Sequence, residues 1–257
     1  MVKVLVLRAA GSNCDEETGF AFQSAGASAE LVHINRLLRG QVDLGDYQIL
    51  AIPGGFTYGD DISAGRILAN ELKYKLRETL LGFYRAGKLI IGICNGFQVL
   101  SKAGLLPEIT LADSQVTLAS NDSGKFEDRW IHLRVNDSPS VFARGLKKQI
   151  TLPVAHAEGK FVPRDSGVLE RLGSNRQIVF QYVTPAGEKP SYPDNPNGSV
   201  DDIAGICDPS GRVLGLMPHP ERHIDPTHHP QWTRLGLADE GDGLALFRNA
   251  VDYFTDT

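Results

Sequence analysis

The stretch Lys88-Leu-Ile-Ile-Gly-Ile-Cys94-Asn95-Gly96-Phe97-Gln98-Val-Leu100 joins an apolar run to a turn of small residues and then to a helical pattern. Leu89, Ile90, Ile91 and Ile93 make the continuous apolar run of a parallel strand covered on both faces. Gly92 and Gly96 bracket Cys94 as the glycines of a nucleophile elbow bracket a serine. A side chain on such a turn projects at the carboxyl edge of the sheet, where the first N–H groups of the next helix favour thiolate over thiol. A free cysteine alone is most often inert packing, so a base and an oxyanion site must come from elsewhere in the chain.

Upstream, Val2 to Leu7 reads as a buried first strand. A helix is expected from about Asp15 to Ala25, capped by Ser12 or Asn13, with Asp15, Glu16 and Glu17 at its positive end. Ala29 to Ile34 and Gln48 to Ile52 read as the second and third strands. This alternation is that of an α/β protein with a mostly parallel, doubly wound sheet and flanking helices. The third strand runs into Pro53-Gly54-Gly55-Phe56-Thr57-Tyr58-Gly59-Asp60-Asp61, too rich in glycine for regular structure and placed where open α/β sheets bind ligands. A helix from Glu71 to Ala86, ended by Gly87, leads into the cysteine strand.

Downstream, a helix from Gly96 to Ala103 ends at Gly104. Gln115 to Ala119 and Trp130 to Val135 alternate like antiparallel strands on either side of a polar turn. Further strands are expected at Gln149 to Val154, Gln177 to Val183, Asp202 to Cys207 and Arg212 to Met217, the last two joined by the turn Pro209-Ser210-Gly211, and a short helix at Arg164 to Leu172. These give the parallel sheet a small antiparallel extension. Prolines and glycines crowd residues 184–199 into an excursion loop rather than a domain linker. The whole of 1–257 is expected to be one domain, with a C-terminal extension near 223–257 that ends in a helix from Leu244 to Phe254.

Bulk properties narrow the function classes. A hydrophobic fraction of 42%, a charged fraction of 22% and a net charge of −5 describe an ordinary globular chain with no basic field for nucleic acid or anionic membrane. No run approaches about 18 consecutive apolar residues, so no membrane span is expected. Three cysteines without a CxxC spacing suit a reducing cytoplasm and suggest neither zinc nor a redox dithiol. His228 and His229 lack an acid cluster at ligand spacing, so no metal site is expected.

The chemistry is completed by Met217-Pro218-His219-Pro220-Glu221-Arg222, again a strand end entering a constrained loop. Cys94, His219 and Glu221 then supply nucleophile, base and orienter. Oxyanion donors are available at the N–H of Asn95 and at an inward N–H from Gly54, Gly55 or Phe56. The set points to amide or ester cleavage through a thioester and does not name a substrate.

The order Pro-Gly-Gly, Gly-Ile-Cys-Asn-Gly-Phe-Gln, His-Pro-Glu resembles the class I, triad-type glutamine amidotransferases, which have a flavodoxin-like α/β fold. Within them it is most similar to the glutaminase subunits of phosphoribosylformylglycinamidine synthases of purine synthesis. The stretches Gly54 to Asp60, Asn121 to Phe126 with Arg129-Trp130, His156-Ala-Glu-Gly-Lys160 and Asn195-Pro-Asn-Gly-Ser199 carry that finer likeness. It implies glutamine hydrolysis on Cys94, with the oxyanion held by Gly55, Phe56 and Asn95 and the substrate by Gln98, Asn121 and Arg129. It also implies no cofactor in this chain, ATP and magnesium on a large synthetase subunit that takes up the ammonia, and a further small subunit in the same complex. The 156–160 and 195–199 stretches, which the triad does not need, are expected at the subunit interface or in synthase-specific contacts. Ala157 stands where the family often has glycine, and the segment after Arg222 is longer than in compact members.

Other readings are a glutaminase serving GMP or anthranilate synthesis, a PfpI-like redox protein built around the same elbow, and a binding module. The last two leave His219-Pro-Glu221 without a purpose.

Overall fold

The computed structural model describes residues 1–60, 63–112 and 114–255. Asp61, the last residue of the expected glycine-rich loop, lies outside them. Eleven strands and eight α-helices are formed by the described residues. The strands are β1 (Lys3–Arg8), β2 (Ser28–His33), β3 (Ile49–Ile52), β4 (Leu89–Ile93), β5 (Val116–Ser120), β6 (Glu127–Val135), β7 (Gln149–His156), β8 (Glu158–Pro163), β9 (Ile178–Val183), β10 (Ile203–Cys207) and β11 (Val213–Leu216). The helices are α1 (Asp15–Ser24), α2 (Ile34–Leu38), α3 (Arg66–Asn70), α4 (Arg77–Arg85), α5 (Asn95–Ala103), α6 (Ser166–Ser174), α7 (Trp232–Leu235) and α8 (Leu244–Asp252).

Nine strands form one sheet in the order β2-β1-β3-β4-β11-β10-β9-β6-β7. The first five are mutually parallel, and β10, β9, β6 and β7 continue the sheet antiparallel. The central strands Ile49–Ile52, Leu89–Ile93 and Val213–Leu216 are buried at every position, because helices cover both faces and no position can be left polar. The antiparallel part is wider than the small extension expected. Val116–Ser120 is not in it: β5 pairs with β8 in a separate two-stranded sheet, so the two alternating segments flanking the polar turn belong to different sheets.

Three local expectations are corrected. Helix α1 begins after Cys14, whose side chain makes no cap; Ser12 Oγ accepts from the Ala9 N–H and Asn13 Oδ1 from the Cys14 thiol, so neither caps the helix. The helix expected over residues 71–86 begins at Arg66, passes through a π-helical turn at Glu71–Lys75 and restarts after Leu76, where φ −115° and ψ 16° break the helix. Asn195 to Ser199 turn inward instead of lying on an excursion: Asn197 Nδ2 donates to Gly159 O (3.0 Å) and the Tyr182 hydroxyl (3.1 Å), and Ser199 Oγ accepts from Phe161 N (2.9 Å). That loop end fastens β8 from inside the chain.

The C-terminal segment divides. Helix α8 belongs to the core, with Phe247 packed edge-on against Phe22 of α1 at 4.9 Å. In the part before it, Trp232, Leu235 and Leu237 are exposed, and His229 packs on Trp130 of β6 at 4.5 Å. Among the described residues no helix is long and apolar enough to cross a membrane.

Candidate active site

Four neighbouring parallel strands, β1, β3, β4 and β11, end at the same edge of the sheet, and each delivers one part of the site there. Strand β4 ends at Cys94, whose N–H donates to Leu216 O of β11 (2.8 Å), so the neighbouring strand holds the nucleophile's backbone. Cys94 has φ 52° and ψ −108°, a region that costs a non-glycine residue on the order of 1–3 kcal/mol and persists only where the surroundings enforce it. Helix α5 starts at the next residue, so Cys94 stands at its N-terminal end, with its Sγ 3.8 Å from Ala155 O.

Three residues beyond β11, His219 is 1% exposed and its N–H donates to Pro153 O of β7 (2.9 Å). Its Nδ1–H donates to Glu221 Oε1 at 2.6 Å, an assignment fixed by the carboxylate, which only accepts. Among the described residues Nε2 has no hydrogen-bond partner, which leaves it for the reaction. Burial pulls the His219 pKa down, but the Glu221 carboxylate in contact with it, with Cys94 adding, outweighs this and holds the ring well above the ordinary histidine value. His219 and Glu221 are therefore a buried, charge-assisted pair beside Cys94.

Gly54, at the end of β3, shows how closely these parts converge. A Cβ there would stand 2.8 Å from His219 Cε1, 3.0 Å from Cys14 Sγ and 3.5 Å from Cys94 Cβ, so only glycine fits among the three. Its neighbour Gly55 forms an isolated bridge with Ser12. In that bridge the Phe56 N–H donates to Gly11 O (2.9 Å) and Gly54 O accepts from Asn13 N and Cys14 N. Phe56 is thus removed as an oxyanion donor: its N–H is committed to the loop after β1. Gly55 lines both cavities at Cys94, and Asn95 opens α5 directly after that cysteine.

Two adjoining cavities meet at Cys94. One of about 80 Å³ is bounded by Gln98, Ala64 and the turn at 155–158; the other, of about 220 Å³, by Asn13, Cys14, Phe126, Asp128, His219 and Arg222. A larger cavity of about 810 Å³, between residues 144–150 and 237–249, touches none of these groups. Gln98 lines the smaller cavity, with its Nε2 donating to Glu158 O (2.6 Å) and its Oε1 accepting from Asn95 Nδ2 (2.9 Å). Asn121 and Arg129 line neither cavity. Asn121 stands behind the β7–β8 turn, donating to Lys125 O and His156 O and accepting from His156 Nδ1 and Gly159 N. Arg129 pairs with Glu127 and donates to the Tyr192 hydroxyl (3.2 Å), its guanidinium lying over that ring. The motif that carries these two does reach the site, through Phe126 and Asp128.

The structure adds residues the motifs left out. Cys14 is 1% exposed, with Sγ 4.0 Å from His219 Nδ1 and 3.1 Å from the Arg222 Nη2 that donates to it; burial, more than these neighbours offset, raises its thiol pKa. Its position just past the first strand was the available signal. His156 is buried beside the smaller cavity, and burial followed by the nearby His219 lowers its pKa to about 4, so it is neutral.

A model of the CobB/CobQ-like glutamine amidotransferase domain matches residues 1–254. The chain belongs to that family. This amidotransferase chain is 50% identical over 254 residues to phosphoribosylformylglycinamidine synthase subunit PurQ of Dehalococcoides mccartyi, covering 98% of this chain and 97% of that one. The PurQ subunit of Archaeoglobus fulgidus is 45% identical over 267 residues, with 98% and 97% covered. Among solved structures, PurLQS from Thermotoga maritima superposes with a TM-score of 0.75 at 30% identity over 98% of this chain and 99% of that one. A second Thermotoga maritima structure, of a glutamine amidotransferase, shares the fold at a TM-score of 0.55 and 15% identity, over 100% of this chain and 99% of that one. The extent of the D. mccartyi match means that the segment after Arg222 is shared with that relative.

Proposed function

We propose that this amidotransferase is the glutaminase subunit of a phosphoribosylformylglycinamidine synthase. The 50% identity to a subunit of that name across nearly the whole chain carries the pathway assignment, and the placement of Cys94 beside the buried His219–Glu221 pair carries the chemistry. Cys94 Sγ, its thiol proton passing to His219 Nε2, attacks the side-chain amide carbon of glutamine. The N–H groups of Gly55 and Asn95 receive the developing oxyanion, in a site whose donors need no reorganisation as charge appears. As the tetrahedral adduct collapses, His219 gives a proton to the leaving nitrogen and ammonia departs, leaving a thioester on Cys94. Water then attacks the thioester, losing its proton to His219, and glutamate leaves with the thiol restored. Glu221 keeps the ring in one orientation and offsets its positive charge throughout. Gln98 helps hold the glutamine.

No cofactor enters this half-reaction, because amide hydrolysis by thiol and imidazole needs only proton transfers. ATP and magnesium act on a large synthetase subunit that consumes the ammonia, with a further small subunit in the assembly, in the cytoplasm. The test is the reconstituted complex. Cys94→Ala should lower glutamine-dependent amidine formation by at least about a thousandfold, in line with removal of a triad nucleophile, and leave ammonia-dependent formation unchanged. Retained glutamine-dependent activity would refute the role of Cys94, and co-purification with a GMP or anthranilate synthetase instead would refute the pathway.

A further inference from the structure

Cys14 has no part in the reaction above, yet it is buried against the catalytic histidine. Its sulfur, a ring nitrogen of His219 and a carboxylate oxygen of Glu221 all lie within 4.8 Å of one another. Thiolate, imidazole and carboxylate are the donor set of zinc-class cations, whose ligands sit at about 2.0–2.3 Å from the metal and hence roughly 3.3–3.8 Å from each other. The 4.0 Å between Cys14 Sγ and His219 Nδ1 is close to that spacing. A second feature points to the same place: Glu221 Oε2 is buried and has no hydrogen-bond partner among the described residues, although Oε1 is used by His219. A buried carboxylate oxygen left unsatisfied is costly, and a cation bound by this carboxylate would satisfy it while parting Nδ1 and Oε1, now 2.6 Å apart. Cys14 and His219 also line the cavity of about 220 Å³, which supplies a way in. Arg222 opposes the cation, but its guanidinium is also held by Glu17 (3.0 Å) and can release the sulfur while keeping that partner.

We propose that Cys14, His219 and Glu221 form an inhibitory site for a zinc-class divalent cation, bound by Cys14 Sγ, His219 Nδ1 and the Glu221 carboxylate. Binding expels two protons to solvent, one from the Cys14 thiol and one from His219 Nδ1. The ring then carries its remaining proton on Nε2, toward Cys94, and without a proton at Nδ1 it cannot cycle between imidazole and imidazolium. Glu221 is drawn from orienter to ligand. The glutaminase is silenced while Cys94 itself stays unmodified.

The inhibition arm of the test rests on the glutaminase reading; the spectroscopic arm does not. The full chain, reduced and freed of metal, is titrated with Co2+ and followed for a thiolate-to-cobalt charge-transfer band. The band is expected in the parent chain and in Cys94→Ser, and absent in Cys14→Ala and Cys14→Ser. A band that survives loss of Cys14, a band that vanishes with Cys94 alone, or no band in the parent chain overturns the site. In the reconstituted complex, Zn2+ should inhibit glutamine-dependent but not ammonia-dependent turnover. Both Cys14 variants should turn over glutamine without metal and require at least about tenfold more Zn2+ for half-inhibition, the low end of the loss when even an outer-shell partner of a metal ligand is removed. Equal Zn2+ sensitivity in the parent and both variants would place inhibition elsewhere.

Discussion

A Cβ at Gly96 would stand 1.9 Å from the Ile52 carbonyl oxygen, so the residue two after Cys94 has to be glycine if α5 is to start against the end of β3. That contact turns a sequence pattern into a geometry: the sharp turn is allowed because α5 packs closer to β3 than any side chain permits. At the same scale, His156 is a buried histidine kept neutral by its surroundings. Its pKa falls from an ordinary 6.5 to about 4, chiefly through burial. The unfolded chain therefore binds a proton that the folded chain refuses, and stability present above pH 6.5 is lost as pH falls toward 4. Linkage puts the loss between pH 7.5 and pH 5 at about 2 kcal/mol from this group. Urea unfolding of the parent chain and of His156→Gln at the two pH values should show the variant losing about 2 kcal/mol less. Equal losses would mean that His156 is protonated in the folded state. No titration can be read from the sequence His-Ala-Glu-Gly-Lys, since the cause is burial supplied by distant elements.

The β7–β8 turn is the element that closes the smaller cavity, and Asn121 holds it from outside the cavity. Its amide makes four hydrogen bonds, three of them to the turn, at His156 twice and Gly159, and one to Lys125 O in its own loop. Removing the side chain leaves buried donors and acceptors without partners, at roughly 1–3 kcal/mol for each group that water cannot reach. Asn121→Ala should lower unfolding stability by about 2–4 kcal/mol. It should also raise KM for glutamine more than it lowers kcat, because the turn carries the Glu158 carbonyl that holds Gln98 while Cys94 and His219 stand on other elements. A fall in kcat with KM unchanged would instead place Asn121 in the chemical step. The parallel strands, the elbow and the His-Pro-Glu element were legible because each is local: a run of buried residues, two glycines, two prolines. Strand β8, the pairing of β5 with β8 and the inward course of Asn195 to Ser199 were not, since polar side chains there are satisfied by partners far away in the chain. The same reason explains Arg129, whose charge reads as a ligand in sequence and is spent on Glu127 and Tyr192.

At the scale of the molecule, the site takes Gly54 and Gly55 from the loop after β3, Cys94 from the end of β4 and His219 with Glu221 from the loop after β11, with Cys14 packed beside them but outside the reaction, so it is built by strands far apart in sequence and adjacent in the sheet. His219 is held in turn by Pro153 of β7, the far edge strand of the nine. One hydrogen-bonded sheet thus runs unbroken from β2 to β7, and no subset of strands can keep the triad if the rest melt. We expect the chain to behave as a single domain with one cooperative transition. In a urea titration at equilibrium, far-ultraviolet circular dichroism, tryptophan fluorescence and glutaminase activity of the reconstituted complex's small subunit should fall with coincident midpoints. Trp130 on β6 reports on the antiparallel half, so a Trp232→Phe chain whose fluorescence midpoint falls well below the dichroism midpoint would show that half opening alone, and would divide the chain into two units despite the continuous sheet.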